Sequence, residues 1–187
     1  MSSKNRNWVA TSVAVMGVAL ALSASGPAAS AQPEHAAGAR AVTVDRLSLR
    51  LASDPGQLAN VKGGGTENGA PVIQYPWTGG SNERWDATAT GNGYYRLASV
   101  RSGKCLNVRG GGNENGAEVI QYTCGSGANE QWKFVPKGKG YQLVVRSNGK
   151  CLNVKGGVGQ NNPLIQYTCT SGGAANDVWL PVWEPAS

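Results

Sequence analysis

Charge is scarce in this chain of 187 residues: only 15% are charged, and histidine and phenylalanine occur once each. With 40% hydrophobic residues, that balance excludes a disordered polyampholyte. The single histidine, His35, precedes the patterned part of the chain, so no Ser-His-Asp or Cys-His arrangement can be assembled within it. No segment after residue 31 approaches the roughly 20 apolar residues needed to cross a bilayer, and the length fits one domain of roughly 100 to 200 residues. A membrane bundle and a large multidomain enzyme are therefore excluded. Glycine, by contrast, is abundant at 27 residues, about twice its average usage of roughly 7% and without a collagen period. Turns should dominate, and long helices are not expected.

Residues 1–31 have the order of a secretory leader: Lys4 and Arg6, an apolar stretch over 8–22, then small residues ending Ala29-Ser30-Ala31. Cleavage is expected after Ala31, giving a secreted, extracellular protein. An uncleaved anchor is disfavoured because the apolar run is short of a span. Loss of the leader lowers the formal charge from +6 by the two cations Lys4 and Arg6. The remaining Lys and Arg are scattered, so no nucleic-acid partner is expected. Residues 32–45 lack apolar periodicity and read as a flexible lead-in.

Three segments of the remainder superimpose in sequence. The first contains Leu58-Ala59-Asn60-Val61-Lys62-Gly63-Gly64, Val72-Ile73-Gln74-Tyr75-Pro76-Trp77 and Asn82-Glu83-Arg84-Trp85. The second contains Cys105-Leu106-Asn107-Val108-Arg109-Gly110-Gly111, Val119-Ile120-Gln121-Tyr122-Thr123-Cys124 and Asn129-Glu130-Gln131-Trp132. The third contains Cys151-Leu152-Asn153-Val154-Lys155-Gly156-Gly157, Leu164-Ile165-Gln166-Tyr167-Thr168-Cys169 and Asn176-Asp177-Val178-Trp179. The terminal Trp recurs every 47 residues, and the repeats divide as about 46–92, 93–139 and 140–187.

Each unit holds short β-prone runs, such as 94–100, 106–108, 119–122 and 131–135, between Gly, Asn and Ser clusters. That predicts about four strands per unit. Asn68-Gly69 and Asn115-Gly116 supply the positive φ angles of tight turns. A phosphate-cradling loop at Lys62-Gly63-Gly64-Gly65 is disfavoured because no Gly-Lys-Ser/Thr follows. Propellers close with roughly four to eight blades, and helical repeats are incompatible with the glycine content. The expected fold is all-β: a β-trefoil whose three units share one core in pseudo-threefold arrangement. Trp85, Trp132 and Trp179 are expected to plug that core.

The repeats pair Cys105 with Cys124 and Cys151 with Cys169. Both equivalents in unit one are apolar, Leu58 and Trp77, the joint replacement that a bonded pair predicts. A four-thiolate zinc site would instead favour C-x-x-C spacing.

The Cys-Leu-Asn-Val, Gln-Tyr-Thr-Cys and Asn-Glu-Gln-Trp runs, repeated in this order over about 46–183, resemble the ricin B-chain type (Gln-x-Trp) lectin family. The resemblance implies a β-trefoil with up to three shallow sugar sites. In each, one residue binds vicinal hydroxyls, an aromatic stacks on the pyranose and an Asn adds a hydrogen bond. Carried over, these are Asn107, Tyr122 and Asn129 in unit two, Asn60, Tyr75 and Asn82 in unit one, and Asn153, Tyr167 and Asn176 in unit three. The implied partner is a galactose-type, xylan-type or other glycan. No cofactor or metal is expected, and the protein should be a monomer.

Strand alternation agrees with that placement: Leu106 and Val108 share one face and Asn107 the other. A sugar presents an apolar C–H face and a fan of hydroxyls, which suits an aromatic plane with fixed polar groups. The Tyr and Asn have ordinary structural roles as well, in packing and in turn locking. Two departures from the family pattern stand out. Asn replaces the usual Asp at the first position in all three units, and an acid replaces the signature Gln at Glu83, Glu130 and Asp177. Alternation also turns Gln74, Gln121 and Gln166 toward the core, where each needs a hydrogen-bond partner.

Unit two is expected to hold the most complete site, since unit one lacks its bridge and unit three has a loop two residues longer before its Trp. Catalysis would need two carboxylates across one bond, for which the best pair is Glu114 and Glu130. Because acids recur at the same places in unit one, a non-catalytic role is expected. The competing class is a β-trefoil that binds proteins, as an inhibitor or adhesin.

Overall fold

The computed structural model describes residues 43–184. The leader, its cleavage point and His35 lie outside the described residues. The first strand begins at Thr43, inside the segment read as lead-in.

Twelve strands follow, four per unit. Unit one has β1 (Thr43–Leu51), β2 (Gln57–Val61), β3 (Val72–Pro76) and β4 (Trp85–Gly91). Unit two has β5 (Tyr94–Ser99), β6 (Cys105–Val108), β7 (Val119–Tyr122) and β8 (Trp132–Lys137). Unit three has β9 (Gly140–Val145), β10 (Cys151–Val154), β11 (Leu164–Tyr167) and β12 (Trp179–Trp183). Antiparallel pairing runs β1–β4–β5–β8–β9–β12 and returns to β1, a closed ring of six strands. The hairpins β2–β3, β6–β7 and β10–β11 stand off it. This is the β-trefoil. Closure leaves the ring without a free edge. Among the described residues no helix is long and apolar enough to cross a membrane.

Each strand's alternation sends one face to a shared core built from Leu47, Leu49, Leu51, Leu97, Leu143 and their neighbours. Trp85, Trp132 and Trp179 are wholly buried in it, as expected of plugs. Their indoles stay satisfied: Nε1 donates to the backbone oxygens of Ala59 (3.4 Å), Leu106 (2.8 Å) and Leu152 (3.0 Å) respectively.

The buried glutamines find partners in the neighbouring unit. Gln121 Nε2 donates to Gly65 O (2.9 Å) and Glu67 O (3.0 Å), and its Oε1 accepts from Ser102 Oγ. Gln166 repeats this on Gly112 and Glu114, while Gln74 Oε1 accepts from Gly159 N (2.9 Å). Each unit is thus latched to the loop of another.

The Asn-Gly pairs do this in a different way from a two-residue hairpin turn. Gly69 (φ 87°) and Gly116 (φ 92°) take the left-handed conformation, but their Asn neighbours do not. Instead Asn68 Oδ1 accepts from Thr123 N and Oγ1, and Asn115 Oδ1 accepts from Thr168 N and Oγ1. Asn161 fills the left-handed position in unit three (φ 67°), which Asn tolerates better than most residues.

Both disulfides form as paired by the repeats, Cys105–Cys124 and Cys151–Cys169. In unit one Leu58 is buried, and the guanidinium groups of Arg50 (4.7 Å) and Arg84 (5.4 Å) both lie over the Trp77 ring.

Candidate functional site

Three concavities of about 450, 520 and 460 Å³ recur at equivalent places. The first gathers Asn60, Tyr75 and Asn82, the second Asn107, Tyr122 and Asn129, and the third Asn153, Tyr167 and Asn176. All nine residues singled out in the sequence line these hollows, three to each.

The hairpin brings them together. Tyr122 sits opposite Cys105 and Asn107 opposite Ile120, so Asn and Tyr share the outward face of adjacent strands on a diagonal. Tyr122 and Tyr167 are exposed at 47% and 46%, whereas Asn107 and Asn153 are 7% exposed. The aromatic is therefore the wall and the Asn lies deep. Ile73, Ile120 and Ile165 form the apolar floor. The sequence signal for them was present, since each stands two residues before its Tyr and so on the same strand face.

The Asn pairs are fixed by one repeated network. Asn82 Nδ2 donates to Asn60 Oδ1 (3.2 Å) and Val61 O (3.0 Å). Asn129 does the same to Asn107 and Val108, and Asn176 to Asn153 and Val154. The longer loop of unit three leaves this geometry intact.

Beneath it, the two departures from the family pattern compensate each other. Asn60 Nδ2 donates to Glu83 Oε1 (3.0 Å), and Asn107 Nδ2 to Glu130 Oε2 (3.4 Å). Where an Asp would accept and a Gln donate, here the Asn donates and the Glu accepts. Glu83 is wholly buried, and its carboxylate also accepts from the backbone N–H of Thr78, Gly79 and Gly80 and from Thr78 Oγ1. Such satisfaction is what a buried carboxylate requires. In unit three the shorter Asp177 turns to Gln142 Nε2, Thr170 N and Ala174 N. The Glu130 carboxylate likewise holds Gly125 N (2.7 Å), and Glu114 does not line the hollow to which Glu130 contributes.

Each hollow is completed by residues of another unit, which the sequence did not reveal. Asn161 of unit three and Arg101 of unit two line the first; Asn68 and Gly69 of unit one line the second; Gly116 of unit two lines the third. Backbone bonds hold these rims: Gly69 N to Gln121 O, Gly116 N to Gln166 O and Asn161 N to Gln74 O. One cation from the site's own unit also lines each hollow, Lys62, Arg109 or Lys155.

The sequence profile described as the ricin-type beta-trefoil lectin domain-like family matches residues 46–122, 90–168 and 128–185. No curated protein sequence matches the chain. Among solved structures, the designed threefold-symmetric protein ThreeFoil is 36% identical with a TM-score of 0.69, over 73% of this chain and 97% of its own. The exo-beta-1,3-galactanase 1,3Gal43A of Clostridium thermocellum is 28% identical with a TM-score of 0.68 over 75% of this chain; the match spans only 30% of that enzyme. The Macrolepiota procera ricin B-like lectin, solved in complex with lactose, has a TM-score of 0.64 over 76% of this chain and 98% of its own. At 16% identity that likeness is one of fold.

Proposed function

The chain belongs to the ricin-type β-trefoil lectin domain-like family, and from that premise we propose that it is a secreted, non-catalytic carbohydrate-binding protein with up to three shallow sites. The observation that carries the reading is the threefold recurrence of one hollow, each with an outward Tyr, an apolar floor and two interlocked Asn. A protein-binding surface need not recur in every unit. Tyr75, Tyr122 and Tyr167 stack on the apolar face of a pyranose, and Asn60, Asn107 and Asn153, steadied by Asn82, Asn129 and Asn176, meet its hydroxyls. Two disulfides suit the oxidising compartment to which the leader directs the chain. The domain comprises residues 46–187 after a leader over 1–31.

Titration calorimetry against neutral galactose- and xylose-based oligosaccharides tests this with wild type, Asn107→Ala and Tyr122→Ala. The expected result is saturable binding in which each substitution removes the unit-two site while the circular dichroism spectrum is unchanged. Binding to a protein partner with none to any glycan would put the inhibitor or adhesin reading in its place.

A further inference from the structure

The three sites differ in charge, and the difference is concentrated at the first. Its lining includes Lys62 and Arg101 and no Asp or Glu. Glu83, the acid bonded to Asn60, is buried with its oxygens occupied by five donors, and the carboxylate of the loop residue Glu67 is turned back to Thr66 N at 2.9 Å. Asn60 places no charge against a ligand. Among the described residues the ion pairs are Arg50–Glu184 and Arg109–Glu118, so neither Lys62 nor Arg101 is paired with an acid. Arg101 is nonetheless held in place, since its Nε donates to Gly64 O (2.6 Å) and its terminal nitrogens are left for a ligand.

The other two sites lack this set. At the second, Arg109 is bridged to Glu118 at 2.9 Å, and Glu130 joins the lining. Ser147, four residues before Cys151, stands where Arg101 stands before Cys105. At the third, Lys155 is the lone cation. The rim residue also changes: Gly69 and Gly116 carry no side chain, whereas Asn161 adds an amide over the first site.

Resting on the carbohydrate-binding reading, we propose that the unit-one site takes an acidic saccharide. The sugar ring lies on Tyr75, and its carboxylate or sulfate is held by Lys62, Arg101 and Asn161. A guanidinium and an ammonium that line one hollow with an aromatic side chain suit a pyranose bearing an anionic substituent, with Arg supplying paired donors and Lys a point charge.

The test titrates the protein with a galacturonate oligomer, a sulfated galactose oligomer and a neutral galactose oligomer of equal length. Wild type is compared with Lys62→Gln/Arg101→Gln, Arg101→Lys, Tyr75→Ala and the distant exposed Lys139→Gln. One acidic oligomer should bind about tenfold more tightly than the neutral one at low salt, the effect of two exposed charge pairs. That preference should shrink at high salt, vanish in the double variant and in Tyr75→Ala, fall only in part in Arg101→Lys, which keeps the charge and loses the paired donors, and persist in full in Lys139→Gln. Which acidic oligomer gains identifies the anionic group. Equal binding of all three oligomers overturns this assignment and leaves the carbohydrate-binding reading standing. An acidic preference that survives the double variant or falls with Lys139→Gln is general electrostatic attraction, and it overturns the site. Absence of binding to every oligomer, neutral included, overturns the carbohydrate-binding reading itself.

Discussion

Trp77 occupies the place of the second cysteine of units two and three, and the residues around it supply a non-covalent substitute for the bridge. Its half-buried ring is covered by Arg50 and Arg84, and Arg50 is in turn tied to Glu184 at 2.8 Å and to Ser48 Oγ at 3.0 Å. Trp77→Ala removes apolar burial and two cation–π contacts, so a loss of roughly 1–3 kcal/mol is expected in urea denaturation. The same cluster confers a pH dependence. Burial alone would raise the pKa of Glu184, but hydrogen bonds from Ser48 and Arg50 and the charges of Arg50 and Arg84 outweigh it and hold the carboxyl below its usual value. A lowered folded-state pKa means that this stabilisation is present above the unfolded value, about 4.3, and is lost as pH falls through the folded one. Glu184→Gln should therefore lower the melting temperature at neutral pH and flatten its decline below about pH 4.

Among the elements, the third strand of each unit has two jobs that its alternation keeps apart. Its Ile and Tyr face the hollow, and its Gln faces the adjoining unit. In β7 the Gln121 amide satisfies two backbone carbonyls of the unit-one loop, and its backbone N–H bonds Ala70 O at 2.9 Å. Gln121→Ala removes the partner of those two carbonyls and the acceptor of the Ser102 hydroxyl at a partly buried junction, at an expected cost of about 2 kcal/mol. Because that loop also carries Asn68 and Gly69 to the rim of the second site, the same variant should weaken sugar binding there. Chemical denaturation and calorimetry on one preparation would separate the two effects. Full glycan affinity in a destabilised Gln121→Ala protein would show that the rim does not depend on the latch.

For the whole molecule, three sites displayed around one pseudo-threefold axis make valency the expected source of strength. Linked weak sites gain apparent affinity for a polymer by roughly 10²- to 10⁴-fold without new contacts. Single Tyr75→Ala, Tyr122→Ala and Tyr167→Ala proteins should therefore lose retention on an insoluble polysaccharide in steps, and the triple variant should lose it altogether. The fold should survive, because these rings stand outside the core cluster. Loss of retention in a single step would place all binding in one unit.

Local pattern carried much of this protein into view. The 47-residue period fixed three units, and the β-prone runs fixed four strands in each. Joint replacement of Cys by Leu58 and Trp77 fixed the bridges, and strand alternation put each Asn and Tyr on the outward face. These features depend on spacing within one unit, which a sequence displays directly. What only the folded ring decided lies between units. Asn161 and Arg101 reach the first site from distant parts of the chain, Asn68 serves Thr123 rather than its own turn, and the buried glutamines close on neighbouring loops. The exchange of donor and acceptor between Asn60 and Glu83 was equally hidden, since the two are 23 residues apart and meet only when the turn at Ser81–Glu83 packs on the hairpin. Alternation says which face a side chain occupies. Which partner waits on that face is set by closure of the barrel, and the pseudo-threefold axis then gives each site walls from more than one unit.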